Sequence, residues 1–331
     1  MNAIVQYDYG SPDVLEIQEV DKPVVDDDHV LVRVHAASVN PYDWHMMRAR
    51  PHFVRLQAGL ARPKHIIQGA DVSGTVEVVG KNVARFQPGD EVFGMCSGAF
   101  AEYASASQRS IALKPTNLSF EQAASITMAG TTALQALRRG QVGPGDKVLI
   151  SSASGGVGTF AVQIAKSLGA EVTGVCSPRN ADVVRSIGAD HVIDYTRQDF
   201  TQCEQRYDMI LDSVGTRSLS AYRHTLSPEG VYVSIGALHM GDWLGPLTFA
   251  GKILFASLVG RQKMVLVVAS VRTEDLVLLK ELIEAGDVTP VIDRSYRLSD
   301  VPDAIRYLEE GHAQGKVVIS LEQNDAQERG D

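Results

Sequence analysis

The spacing of apolar and polar positions changes character along the chain. Up to about residue 118 the short period dominates: Val30, Val32 and Val34 alternate with Leu31, Arg33 and His35, as a strand does. Gly74–Val79 reads as another strand, and Pro88-Gly89-Asp90 makes a turn before Glu91–Gly94. Many short strands joined by glycine turns predict a partly open barrel. Between them, Pro41 to Gln68 loses any period and reads as a long loop carrying Trp44, His45, two methionines and several arginines. From Leu118 to Ala136 the spacing becomes helical, entered through Ser119 with Glu121 near the first turn.

The most informative stretch runs from Lys147 to Asp182. An apolar strand, Lys147–Ser151, enters the turn Ala153-Ser154-Gly155-Gly156-Val157-Gly158. Val157, Phe160, Ala161, Ile164, Ala165 and Leu168 then keep the i, i+3, i+4 spacing of a helix, Gly169 stands at its C-cap, and Glu171–Cys176 reads as a second buried strand. Strand, glycine turn, helix, strand is the layout that binds a dinucleotide. Glycines let backbone N–H groups approach the pyrophosphate, and the helix N-terminus offers it partial positive charge. Ala153 departs from the fingerprint, which normally begins with glycine.

Strand and helix patterns continue to alternate. Ala181–Ile187 reads as helix stopped by Gly188, and His191–Asp194, Tyr207–Leu211 and Val231–Ile235 read as strands. Repeated alternation predicts an α/β fold with a doubly wound parallel sheet, ligands binding at the strands' carboxyl ends. That rule selects Ser213 and Val214, within Asp212–Gly215, and Ser234, Ile235 and Gly236. The last third is mixed. Thr273 is expected to cap a helix whose Leu276, Leu279, Leu282 and Ile283 share a face, Ser299–Glu310 is a second capped helix, and Lys316–Leu321 a closing strand. Met264–Ser270 reads as a strand apolar on both faces. The tail from Asn324 is polar.

The cofactor is narrowed by what ends the second strand. An NAD site usually places an acid there for the ribose hydroxyls. Here Cys176-Ser177-Pro178-Arg179-Asn180 holds no carboxylate. Ser177 is able to bond a 2′-phosphate and Arg179 to pair with its charge, so NADPH is expected over NADH; the plainer reading of Arg179 is a solvated loop residue.

Composition removes several other classes. At 331 residues, 44% apolar and 21% charged, the chain is globular and long enough for two domains. Its net charge of −9 argues against nucleic acid as the main partner. Cys96, Cys176 and Cys203 are too few and too scattered for a disulfide framework or a CxxC zinc site. The opening residues lack a secretion-signal pattern, Arg261 and Lys263 interrupt the greasiest region, and a cytoplasmic protein without membrane spans is expected.

Several motifs taken together give a family resemblance. Ser38-Val39-Asn40-Pro41-Tyr42-Asp43, Ala129-Gly130-Thr131-Thr132-Ala133, Ala153–Gly158, Val192-Ile193-Asp194-Tyr195 and Gly315-Lys316-Val317-Val318 resemble the zinc-independent quinone oxidoreductase group of the medium-chain dehydrogenase/reductase superfamily. The resemblance spans nearly the whole chain and implies a Rossmann domain beside a β-rich GroES-like barrel. Residues 1–118 and 271–331 would then form the catalytic domain and 119–270 the dinucleotide domain. It implies that Asn40, Asp43 and Thr131 lie near the nicotinamide and acceptor. It also puts Ser177, Arg179 and Tyr195 around the 2′-phosphate, Lys316 in the cofactor region, and a two-fold homodimer through the 264–270 strand.

In the superfamily's zinc alcohol dehydrogenases a cysteine and a histidine bind the metal. Those positions read Asn40 and Ala70 here, which cannot replace thiolate and imidazole, so no metal is expected. Without a Lewis acid, hydride transfer to a quinone or an α,β-unsaturated ketone is favoured over reversible alcohol oxidation. A reductase of saturated aldehydes or ketones, and a nucleotide-binding protein without turnover, are the rival readings. His45 stands where the group often has tyrosine. It is read either as a hydrogen-bond donor to the acceptor or as a solvated loop side chain. Asp43 is read either as catalytic or as holding its loop, Trp44 and Trp243 as pocket or packing, and His35 and His191 as packing residues.

Overall fold

A computed structural model describes residues 1–235, 245–257 and 261–321. Gly236, Trp243 and the polar tail from Asn324 lie outside the described residues. In chain order the strands are β1 (Asn2–Val5), β2 (Glu16–Glu19), β3 (His29–Val39), β4 (Asp71–Val79), β5 (Glu91–Met95), β6 (Tyr103–Ser107) and β7 (Ile111–Leu113). They continue with β8 (Lys147–Ser151), β9 (Glu171–Cys176), β10 (His191–Asp194), β11 (Tyr207–Asp212), β12 (Leu226–Ser234), β13 (Lys263–Leu266), β14 (Ile292–Arg297) and β15 (Lys316–Ser320). The helices are α1 (Pro41–Arg48), α2 (Arg55–Ala58), α3 (Phe120–Ala124), α4 (Thr127–Gly140) and α5 (Gly156–Ser167). After them come α6 (Ala181–Ser186), α7 (Leu219–Thr225), α8 (Gly245–Ser257), α9 (Thr273–Glu284) and α10 (Val301–Glu309).

Two sheets carry the architecture. One runs β10-β9-β8-β11-β12-β13, parallel at every pairing, with its order turning back at β8. This is the doubly wound Rossmann arrangement, whose switch point lies at the β8 carboxyl end. The other runs β14-β15-β3-β4-β5-β7, with β6 added to β3, and forms the GroES-like β domain. The two sheets meet through β15: the residue before it, Gly315, forms a parallel bridge with Gly155 of the glycine turn. Burial follows the same division. Val148, Ile150, Phe160, Ile164, Val172 and Leu211 sit in one apolar cluster, and α9 adds Leu276, Leu279 and Ile283 to it. Val32, Val34, Val72, Val92, Val317 and Ile319 sit in a second cluster, to which α10 adds Ala304 and Ile305.

The expected loop at Pro41 to Gln68 begins as helix α1. Asn40 is extended at its N-cap, Pro41 takes the first turn, and the Asp43 carboxylate accepts from the Asn40 N–H at 2.7 Å. The single helix expected over Leu118–Ala136 is two. Ser119 caps α3 through a reciprocal box with Gln122, and the path breaks at Ser125–Ile126, where the Ser125 hydroxyl donates back to the Gln122 carbonyl at 2.6 Å. Thr273 is the first residue of α9 and not its cap, because its hydroxyl donates to the Arg109 carbonyl. Ser299 falls in a short 3-10 turn ahead of α10. The strand expected to reach Ser270 ends at Leu266 and pairs with β12. His191 is exposed against Glu171 and does not pack, whereas His35 stacks on Phe120 and bonds Thr75.

Candidate active site

The turn between β8 and α5 shows how the fingerprint survives without its first glycine. Ser152 takes the left-handed conformation at φ 54°, and Ala153 is fully buried. Its methyl has room because β9 offers Gly174 opposite: a Cβ built there would come within 2.9 Å of the Ala153 Cβ. Gly158 allows the helix to lie on the strand, since a Cβ on it would be 2.1 Å from the Ser152 carbonyl oxygen. Gly155 is the N-cap of α5 and supplies no side-chain cap. The first N–H groups of α5, from Gly156, Val157 and Gly158, therefore lack side-chain capping and suit an anion.

At the neighbouring strand ends, one buried carboxylate organises the backbone. Asp212 accepts from Ser151 Oγ at 2.9 Å, from the Val214 and Gly215 N–H groups at 3.1 and 3.0 Å, and from the Tyr232 hydroxyl at 2.7 Å. Burial, reinforced by that carboxylate, pushes the Tyr232 phenol upward, so it stays a donor. Ser213 bonds Ser151 twice, and the Ile235 N–H reaches the Asp212 carbonyl. Ser213, Val214, Ser234 and Ile235 thus gather at the carboxyl edge of the sheet.

Beyond β9, Arg179 donates to the His312 carbonyl at 2.9 Å, and Tyr195 is 55% exposed. Ser177 is half-buried. Asn180 was not singled out by its sequence position. It is buried, its Nδ2 donates to Ser154 Oγ at 2.8 Å, and its Oδ1 has no partner. Thr131 on α4 is fully buried, and its hydroxyl also lacks a partner. An orphaned buried polar atom is costly unless a ligand meets it.

A second cluster is built from three separate segments. Asn40 follows β3, Asp43 lies on α1, Asp71 opens β4 and Lys316 opens β15; none is more than 3% exposed. Asp71 Oδ2 accepts from Ser38 Oγ and Asn40 Nδ2, each at 3.0 Å, and lies 3.6 Å from Lys316 Nζ. The Met128 N–H, in the first turn of α4, reaches both Asp71 oxygens at 3.2 and 3.3 Å. The break between α3 and α4 therefore brings a helix N-terminus to a carboxylate. Lys316 Nζ donates to Asn40 Oδ1, and a Cβ on Gly156 would meet Lys316 Cδ at 3.0 Å. The lysine stem thus passes under the glycine turn to reach the cluster. Burial pushes the Asp43 carboxyl up to about 7, against the Asn40 hydrogen bond, with Asp71 raising it further and Lys316 lowering it. Burial likewise draws Lys316 down, with Asp71 and Asp43 holding it up.

The comparisons with known proteins agree with this architecture. Residues 26–116 match the alcohol dehydrogenase GroES-like domain, and residues 187–319 match the zinc-binding dehydrogenase family. The chain is 34% identical to the mitochondrial NAD(P)H oxidoreductase RTN4IP1 of Mus musculus, over 95% of this chain and 87% of that protein. It is 32% identical to the chloroplastic NADPH-dependent alkenal/one oxidoreductase of Arabidopsis thaliana, over 96% and 79%. The solved quinone oxidoreductase from Coxiella burnetii superimposes with a TM-score of 0.86 at 31% identity, covering 97% of this chain and 99% of that one. The chain belongs to the medium-chain dehydrogenase/reductase superfamily, in its zinc-independent quinone oxidoreductase group. It is an oxidoreductase that uses a nicotinamide cofactor.

Some members of the superfamily hold zinc, and the residues here do not fit it. Asn40 presents an amide already taken by the Lys316 ammonium, and Ala70 presents a methyl. Among the described residues no three His, Cys, Asp or Glu side chains gather as a metal site requires. A nicotinamide dinucleotide does fit, given the α5 N-terminus and the unpartnered Asn180 and Thr131 atoms. His45, expected in a loop, lies on α1 at 3% exposure; its ring packs against Trp44, and Nδ1 is 2.7 Å from the Arg50 carbonyl. A cavity of about 80 Å³, which His45 does not line, is bordered by Tyr9, Tyr42, Asp43, Met46, His65 and Cys96. Asp71 was missed as a site residue although it directly follows Ala70. The signal was a carboxylate one position past an empty ligand position. No helix among the described residues is long and apolar enough to cross a membrane.

Proposed function

We propose that the protein reduces quinones or α,β-unsaturated carbonyl compounds with NADPH and without a metal. The observation that carries this reading is the buried Asn40–Asp43–Asp71–Lys316 cluster joined to the glycine turn, with amide, carboxylate and ammonium in place of zinc donors. When bound, the nicotinamide supplies a hydride, which suits acceptors able to delocalise the charge they gain. On this reading the N–H groups of Gly156, Val157 and Gly158 hold the pyrophosphate, with Ser154 and Gly155 in the turn beside it. Ser213, Val214, Ser234 and Ile235 line the nucleotide, and Thr131 bonds the nicotinamide end. Asn40 and His45 border the acceptor, and Lys316 keeps Asn40 oriented.

NADPH is preferred because no carboxylate ends β9, while Ser177, Arg179 and Tyr195 surround the place of the 2′-phosphate. Following NADPH consumption with 1,4-benzoquinone, 2-cyclohexenone and cyclohexanone, with and without a chelator, tests the reading. Chelator-insensitive turnover of the first two, slower with NADH, is expected; no turnover of either would overturn it. We also read the protein as a cytoplasmic homodimer joined along β13, where Val268 is 86% exposed just past the strand. A monomer in sedimentation would remove the dimer.

A further inference from the structure

The reduction leaves a second task, because an acceptor that gains a hydride becomes an enolate or a hydroquinone anion and must take a proton. We propose that Asp43 holds that proton and gives it to the reduced acceptor, an assignment that rests on the reductase reading above.

The argument starts from charge balance. Asp43, Asp71 and Lys316 are 2%, 0% and 3% exposed, so full ionisation would leave two carboxylates against one ammonium in a buried site. Uncompensated buried charge is costly, and one retained proton removes it. The hydrogen bonds decide which carboxyl keeps it. Burial raises both carboxyls, but Asp71 receives Ser38, Asn40 Nδ2 and the Met128 N–H at the start of α4, with Lys316 at 3.6 Å, and all of these oppose that rise and favour its ionised form. Asp43 draws its hydrogen bonding from Asn40 alone. Asp43, unlike Asp71 and Lys316, also lines the small cavity and so has a path to an acceptor and to solvent. Its carboxyl, pushed up to about 7 by burial, agrees with a retained proton near neutrality.

Of the other groups around Asp43, His45 is the rival that the test must separate. Tyr42 and Cys96 line the same cavity, and burial pushes both upward, Cys96 with help from Asp71 and Asp43. Tyr9 is pushed up as well, by burial against the opposing charge of Arg55, and His65 lies exposed at the cavity edge. His45, on the same helix, commits Nδ1 to the Arg50 carbonyl. The step balances. The acceptor gains two electrons and one hydrogen with the hydride, its anionic oxygen takes the Asp43 proton, and the carboxylate left behind shares the charge of Lys316 with Asp71 until it is reprotonated. Water reaching the cavity restores the proton.

Two readouts test this. In the free protein, infrared titration should show a protonated carboxylic acid whose band fades as pH passes about 7 and is missing in Asp43→Asn. That variant keeps a side-chain oxygen for the Asn40 N–H, so the start of α1 is retained. In the loaded enzyme, wild-type kcat should fall above that pH. Asp43→Asn should lower kcat about a hundredfold, flatten that limb and leave the NADPH Kd unchanged. Lys316→Met should move the limb to higher pH, because the ammonium lowers the Asp43 value. An unchanged kcat and limb in Asp43→Asn, or a band that persists in it, would overturn the proposal. Absence of turnover with every acceptor would sink the reductase reading, while the infrared titration would still decide where the proton sits.

Discussion

The two halves of the site are made of different material. The glycine turn after β8 is built from consecutive residues and works through backbone: Ser152 bends, Gly158 lets helix and strand touch, and the α5 N-terminus is left without a side-chain cap. The Asn40–Asp43–Asp71–Lys316 cluster is built from side chains at the start of α1, β4 and β15, and works through burial and charge. The turn tolerates a change of residue type where volume allows, as Ala153 shows. The cluster tolerates little, because each member satisfies another.

Removing one charge from the cluster should have the largest effect. Asp71→Ala leaves Lys316 buried without its partner and should cost about 3–5 kcal/mol in urea unfolding. Asp71→Ala with Lys316→Met should cost less than the sum of the single changes; strict additivity would show that the two groups are not coupled. The turn responds through sterics. Gly158→Ala drives a Cβ against the Ser152 carbonyl and should cost about 1–3 kcal/mol while abolishing NADPH binding in a fluorescence titration. Wild-type binding would mean that the backbone contact does not shape the turn.

Arg179→Ala should be milder, lowering NADPH affinity about tenfold and leaving NADH affinity unchanged, since one charge-assisted contact is worth about 1.5–3 kcal/mol at most. Equal losses for both cofactors would assign Arg179 to holding the His312 loop instead. Ala153→Gly should change least, about 1 kcal/mol or less in stability from added chain entropy, with NADPH affinity retained. A large loss of affinity would mean that the methyl does more than fill the space beside Gly174.

The contrast also explains what could be read in advance. The turn, helix α5, strand β9 and the parallel sheet were legible because glycine positions and apolar period express local geometry. Helix α1 was missed although Asn40-Pro41-Tyr42-Asp43 carries an N-cap residue, a proline at the first turn and an acid three residues on. The break between α3 and α4 was hidden because apolar spacing continues through Ser125 and Ile126, and only the pull of Asp71 on the Met128 N–H gives the break its purpose.

Sequence by itself determined the dinucleotide turn, the α/β alternation and the loss of zinc ligands at Asn40 and Ala70, since each rests on neighbouring residues or on side-chain identity. Tertiary structure alone decided that Lys316 meets Asn40 and Asp71. It also decided that Asn180 leaves an acceptor unpaired and that Asp43 is buried while lining a cavity. The physical reason is range. Backbone geometry is set within a few residues, whereas burial and the charge state of a carboxyl depend on every segment that packs against it.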